Sequence, residues 1–188
     1  MKIKILTTTV LVIATMIACK AQQPISKISA DEVKVNGVKY KLNKPNNKVT
    51  IIANSDNKLT NVKAVAPNLP SDVKIPQYVK YDKNALLSIC ADVIPLATLE
   101  KLPKGIGDWI FVSFKVNPQG KVLEMQFLLK NTSLITASEI QKIEEKIKNS
   151  SFTVSFTYGI ERYFEGANYF FVDTQLSYKD IYTKKIAK

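Results

Sequence analysis

The chain contains no histidine, and only two cysteines, six glycines and one tryptophan in 188 residues. Without imidazole, the usual neutral-pH proton shuttle and the commonest metal ligand are both missing. The acidic residues show no calcium-loop spacing either, so neither a metal nor another cofactor is expected. Cys19 ends an N-terminal leader and is either acylated or discarded with it, which leaves Cys90 without an internal disulfide partner. Cys90 shares helical spacing with Leu86, Leu87, Val93 and Ile94 and reads as a small buried apolar residue. A nucleophilic thiol would need a basic activator that this sequence does not offer. Gly105-Ile106-Gly107 lacks the third glycine and the preceding strand of a nucleotide loop, and reads as a hinge. These absences together point away from an enzyme.

What is present begins with an address. Lys2 and Lys4 precede an uncharged run from Ile5 to Ala18, followed by Cys19. A charged start, an apolar middle of roughly 14 residues and a small residue at the end form a secretory signal, too short to remain as a membrane span. Two processing routes fit. Met16-Ile17-Ala18-Cys19 resembles a bacterial lipobox, in which the cysteine is lipidated and becomes the new N-terminus; ordinary cleavage after Ala21 would instead begin the mature chain at Gln22. Either way the protein is expected outside the cytoplasm, at the periplasmic face of a Gram-negative membrane. The 27 Lys and Arg outnumber the 16 Asp and Glu, and loss of Lys2 and Lys4 still leaves a surplus of about nine. Export excludes nucleic acid as the natural partner. The surplus suits phosphate-bearing headgroups, anionic glycan or acidic protein segments, or simply solvated faces.

Downstream, residues 20 to 29 read as a polar tether. Val33 and Val35, then Asn36-Gly37, then Val38, Tyr40 and Leu42 spell a β-hairpin. Val49 to Ala53 and Leu59 to Val65 suggest a second, so that 30 to 65 forms a small β-meander. Pro67, Pro70 and Pro76 mark 66 to 81 as a linker. Asp82 to Val93 has a helical pattern with Asp82 as N-cap. Trp109 to Val116, a turn at Asn117-Pro118-Gln119-Gly120, and Lys121 to Leu129 form a ribbon. Thr136-Ala137-Ser138-Glu139 is a capping box, opening a helix to about Lys148 with Ile140, Ile143 and Ile147 on its apolar stripe. Further strands are expected at Phe152 to Tyr158 and Asn168 to Tyr178, and 179 to 188 reads as a frayed basic tail.

This order of ribbon, helix and strand over 82 to 178, with Ile94-Pro95-Leu96-Ala97, Gly105 to Val116 and Gly120-Lys121-Val122, resembles the C-terminal domain of TonB-type proteins. The resemblance implies an α+β fold, an antiparallel sheet with one main helix packed on it (ββαβ), whose exposed edge pairs with a segment of an outer-membrane protein. The chain departs from that family in lacking a retained membrane helix, a long Pro-rich spanning segment and a tryptophan-proline stretch after the helix, where Phe152-Thr153-Val154 stands. The implied function is therefore a noncatalytic binding or adaptor module holding an envelope protein, with binding of an anionic lipid or glycan as the alternative.

Tyr158, Arg162, Tyr163, Phe164 and Tyr169 concentrate aromatic rings around a cation, and are the expected contact residues, since aromatic and Arg side chains dominate interface energetics. Their alternative role is to fill the core. Glu124 and Asp173 would form a carboxylate pair only if their strands were neighbours. Trp109, at a strand start, reads either as half-buried packing or as a stacking surface.

Overall fold

Asn36 and Gly37 adopt positive φ, 45° and 90°, and close the first hairpin as the Asn-Gly pair predicts. Strand β1 (Glu32–Val35) thereby pairs with β2 (Val38–Asn46), setting Val33 opposite Tyr40. The computed structural model describes residues 22–65, 74–157 and 159–188. The leader, Cys19, linker residues 66–73 and Tyr158 lie outside the described residues.

Strand β3 (Val49–Asn54) follows β2, but the expected second hairpin does not form. Leu59 to Val65 is instead a 3-10 turn at Lys58–Asn61 and an irregular strap. Leu59, Val62 and Val65 recur every third residue, so this stretch offers no apolar face of period two. The free edge of β3 is taken by β6 (Val122–Lys130), with Ile51 opposite Leu128 and Ile52 opposite Phe127. The meander consequently does not stand apart from the rest: β1, β2 and β3 continue one antiparallel sheet of order β1-β2-β3-β6-β5-β8, where β5 is Trp109–Val116 and β8 is Phe170–Ser177. A second sheet pairs β4 (Val79–Tyr81) with β7 (Val154–Phe156).

Four α-helices occur among the described residues: α1 (Lys83–Val93), α2 (Leu96–Lys101), α3 (Ala137–Asn149) and α4 (Tyr178–Ile186). Asp82 caps α1 by accepting from the Ala85 amide, and Thr136 with Glu139 forms the reciprocal capping box of α3. The architecture is α+β, as expected. One face of the sheet, carrying Ile110, Val112, Phe114, Phe127 and Leu129, shares a continuous core with Leu86, Cys90, Ile140, Ile143 and Ile147 from the helices.

Two expectations are corrected: the polar tether at 20 to 29 is packed from Pro24 to Ile28, with Ile25 and Ile28 buried in the core, and the tail is not frayed. Residues 178 to 186 form α4, capped by Ser177, with Tyr178 and Ile181 buried and the Lys185 ammonium donating to the Ala91 carbonyl at 2.7 Å. Tyr178 and Ile181 fall at i and i+3, an apolar stripe that the surrounding lysines disguise.

Two buried tyrosines fasten the layers. The Tyr178 hydroxyl donates to Ser133 Oγ at 2.9 Å, and burial pushes its pKa up to about 12. Because the folded state disfavours the phenolate, the stability this contributes is complete below about pH 10 and is lost as pH rises through about 12. Denaturant melts at increasing alkaline pH should show that loss, and Tyr178→Phe should lessen it, the remainder coming from Tyr40 and Cys90. The Tyr40 hydroxyl donates to Glu144 Oε2 at 2.7 Å; burial, then the Glu144 charge, raises its pKa as well.

Candidate functional site

The aromatic segment is divided by the fold. Phe164 is buried and stacks on Phe170 with ring centroids 4.9 Å apart and planes at 15°, with Phe156 against both. Tyr169 is also buried, its ring 5.2 Å from the Lys115 ammonium and its hydroxyl donating to the Val62 carbonyl at 2.6 Å. Neither is available to a partner, which corrects the expectation for both: their area is spent on the core and on holding the strap. Arg162 is exposed and lies over the half-buried Tyr163 ring at 4.7 Å, also donating to its hydroxyl. That contact joins adjacent residues only. The carboxylate pair does not form either, because β6 and β8 lie on opposite sides of β5; Glu124 faces Lys115 at 3.2 Å, and Asp173 stands opposite Ser113.

Among the described residues, the second face of the large sheet is only partly covered. Since side chains alternate, packing the helices against one set of residues leaves the other set outward. Across the centre, Ile51 of β3, Leu128 of β6 and Phe111 of β5 stand in one cross-strand row. Val49, Lys130 and Trp109 form the next row. Ile51, Leu128, Phe111, Val49 and Trp109 are each only half-buried, and the Trp109 and Phe111 rings lie 6.0 Å apart. On the β1-β2 side the same face carries Lys34 and Lys39, directly opposite each other, and Lys41 opposite Glu32. Like charges so placed repel and contribute nothing to the hairpin. Asp173 and Gln175 flank the apolar rows at β8.

At the far end of this face the strap crosses it, tied by polar bonds. The Leu59 amide donates to Glu124 Oε1 at 2.7 Å, Asn57 Nδ2 to the Met125 carbonyl at 3.1 Å, and Asn168 clasps the Lys63 carbonyl and the Val65 amide. These bonds account for the burial of Glu124, which alternation places outward.

The sequence held a signal for this face. Strand β5 is apolar on both sides, Trp109 and Phe111 alternating with Ile110 and Val112, and Leu128 breaks the polar side of β6. A strand buried on one face alone would not need them.

Cys90 sits in the core with its thiol pKa raised to about 12 by burial. Thiol reagents should therefore leave Cys90 unlabelled in the native protein and reach it only on unfolding; prompt native labelling at Cys90 would contradict its placement.

No protein-family model matches the sequence, and no curated protein matches it. Among solved structures, the fold is similar to a DUF5043 family protein from Bacteroides uniformis ATCC 8492, with a TM-score of 0.61 and 17% identity over 82% of this chain and 88% of that one. A likeness at that identity establishes a shared α+β fold.

Proposed function

We propose that the chain is a noncatalytic binding or adaptor module of a Gram-negative envelope, exported, anchored through a lipidated Cys19, and holding a protein partner on the partly covered second face of its large sheet. The observation that carries this reading is the row Ile51, Leu128 and Phe111 with Trp109 beside it, an apolar centre with a charged margin. Contiguous half-exposed apolar groups with aromatic members and a polar rim are how docking surfaces are built.

A second reading rests on the sheet edge. Strand β8 ends the sheet, and beside it lies a groove of about 370 Å³ lined by Pro76, Val79, Tyr81, Phe171, Val172 and Asp173. An extended peptide added there would use main-chain hydrogen bonds, the mode that the TonB-type resemblance implies.

Photoreactive residues introduced at Leu128, at Val79 in the edge groove and, on the helix side, at Lys142 separate the two in envelope membranes. Capture of one defined protein from position 128 supports the face; capture from 79 alone supports the edge. Capture from 142 alone contradicts both.

A further inference from the structure

The described chain begins at one particular end of the sheet. Pro24 bridges Thr136, and the Ile25 amide donates to the Ile135 carbonyl at 2.9 Å. Thr136 caps the start of α3, only six residues beyond Lys130, the last residue of β6. Val49 pairs with Lys130, so the β2-β3 turn lies at this end too, and the Asn131 amide and side chain are bound to the Lys48 and Asn47 carbonyls. Strand β5 starts here, preceded by the Gly105-Ile106-Gly107 loop, whose isoleucine is fully exposed.

Cys19 precedes Pro24 by five residues, and five residues reach at most about 18 Å. A lipid on Cys19 would therefore keep Pro24, and the end of the sheet beside it, within about that distance of the bilayer. The groups it presents suit that neighbour. Lys27, Lys44 and Lys48 are exposed, and Lys130 is partly exposed beside Asp108 at 3.6 Å. The nearby carboxylates include Glu139, bonded to Thr136, with Asp108 and Asp180.

We propose that this end of the sheet rests on an anionic phospholipid surface, with Lys27, Lys48 and Lys130 toward the phosphates and Ile106 at the headgroup boundary. The inference rests on the anchor reading above. Its structural consequence is that the second face of the sheet stays open to a partner approaching from the side.

Amine acetylation of the lipidated full-length mature protein tests this, read residue by residue by mass spectrometry in phosphatidylcholine vesicles with and without phosphatidylglycerol, and in detergent micelles. Headgroup attraction near the surface is expected to slow modification of Lys27 and Lys48 about fivefold in the phosphatidylglycerol vesicles. Lys34 and Lys39, at the hairpin end, should react equally in all three. The double variant K27E/K48E should lose the phosphatidylglycerol dependence at Lys130. Equal rates with and without phosphatidylglycerol, or protection spread evenly over Lys34 and Lys39, would overturn the proposal. So would an intact mass without lipid. None of these outcomes alters which position crosslinks a protein partner, so the failure of this orientation and the failure of the docking face are read separately.

Discussion

Gly120→Ala should lower the melting temperature by about 10 °C, the largest effect expected of any single methyl group in this protein. Gly120 ends the Asn117 to Gly120 turn with φ of 81°, where an L side chain is strained. An added Cβ would also lie 1.7 Å from the Val154 carbonyl oxygen, far inside van der Waals contact. That oxygen belongs to backbone and has little freedom: the Val154 amide donates to the Gly120 carbonyl at 2.8 Å, and Val154 opens β7, paired to β4 through Tyr81. Left-handed strain and overpacking together cost about 3 kcal/mol or more, and each kcal/mol moves the midpoint about 2–4 °C at this chain length. Thermal unfolding followed by circular dichroism measures it. A shift below about 2 °C would mean that the turn and β7 are not in contact.

Glu144→Ala should cost about 1–3 kcal/mol, because it leaves the buried Tyr40 hydroxyl without its acceptor. The Glu144 carboxylate is 3% exposed, accepts from Lys148 at 2.6 Å and Tyr40 at 2.7 Å, and lies 3.4 Å from Asn54 Nδ2. It joins α3 to β2 and β3, with Asn36 and Gln141 bonded beside it at 3.0 Å. Its loss leaves a buried phenol hydroxyl without its acceptor and a lysine without its counter-ion. Tyr40→Phe keeps the Lys148 contact and should cost about 1 kcal/mol. Because both changes act on one bond, the double variant should be about 1 kcal/mol less destabilised than the sum of the two. Chemical denaturation of the four proteins closes the cycle; simple additivity would show that the Tyr40 contact carries no coupling.

These two sites also mark what was legible in the sequence. The Asn-Gly hairpin, the Asp82 cap, the capping box at Thr136 and the Gly120 turn are local chemistry, set by residues within four positions of one another, and each predicted element stands in the structure. Partnership over distance was not legible. Nothing near Val49 says that it pairs with Lys130, eighty-one residues away, so the meander read as separate when it completes the sheet. Charge misled at α4, where lysines outnumber the two buried contacts that dock it. For the site, aromatic density pointed to Phe164 and Tyr169, but composition cannot tell a ring that fills a core from one that faces water. Only the side on which the helices pack decides that, and it leaves Trp109 and Phe111 outward.

The central claim is that this outward face, and not the aromatic segment at 158 to 169, holds a partner. Its most direct measurement is the affinity of the protein captured from position 128 for the unmodified chain, for W109A/F111A and for R162A/Y163A, at low and high salt. Loss of two aromatic anchors should weaken binding at least about thirtyfold at both salt concentrations, while R162A/Y163A binds as the unmodified chain does. Unchanged affinity of W109A/F111A, or binding that vanishes with salt alone, would contradict the account.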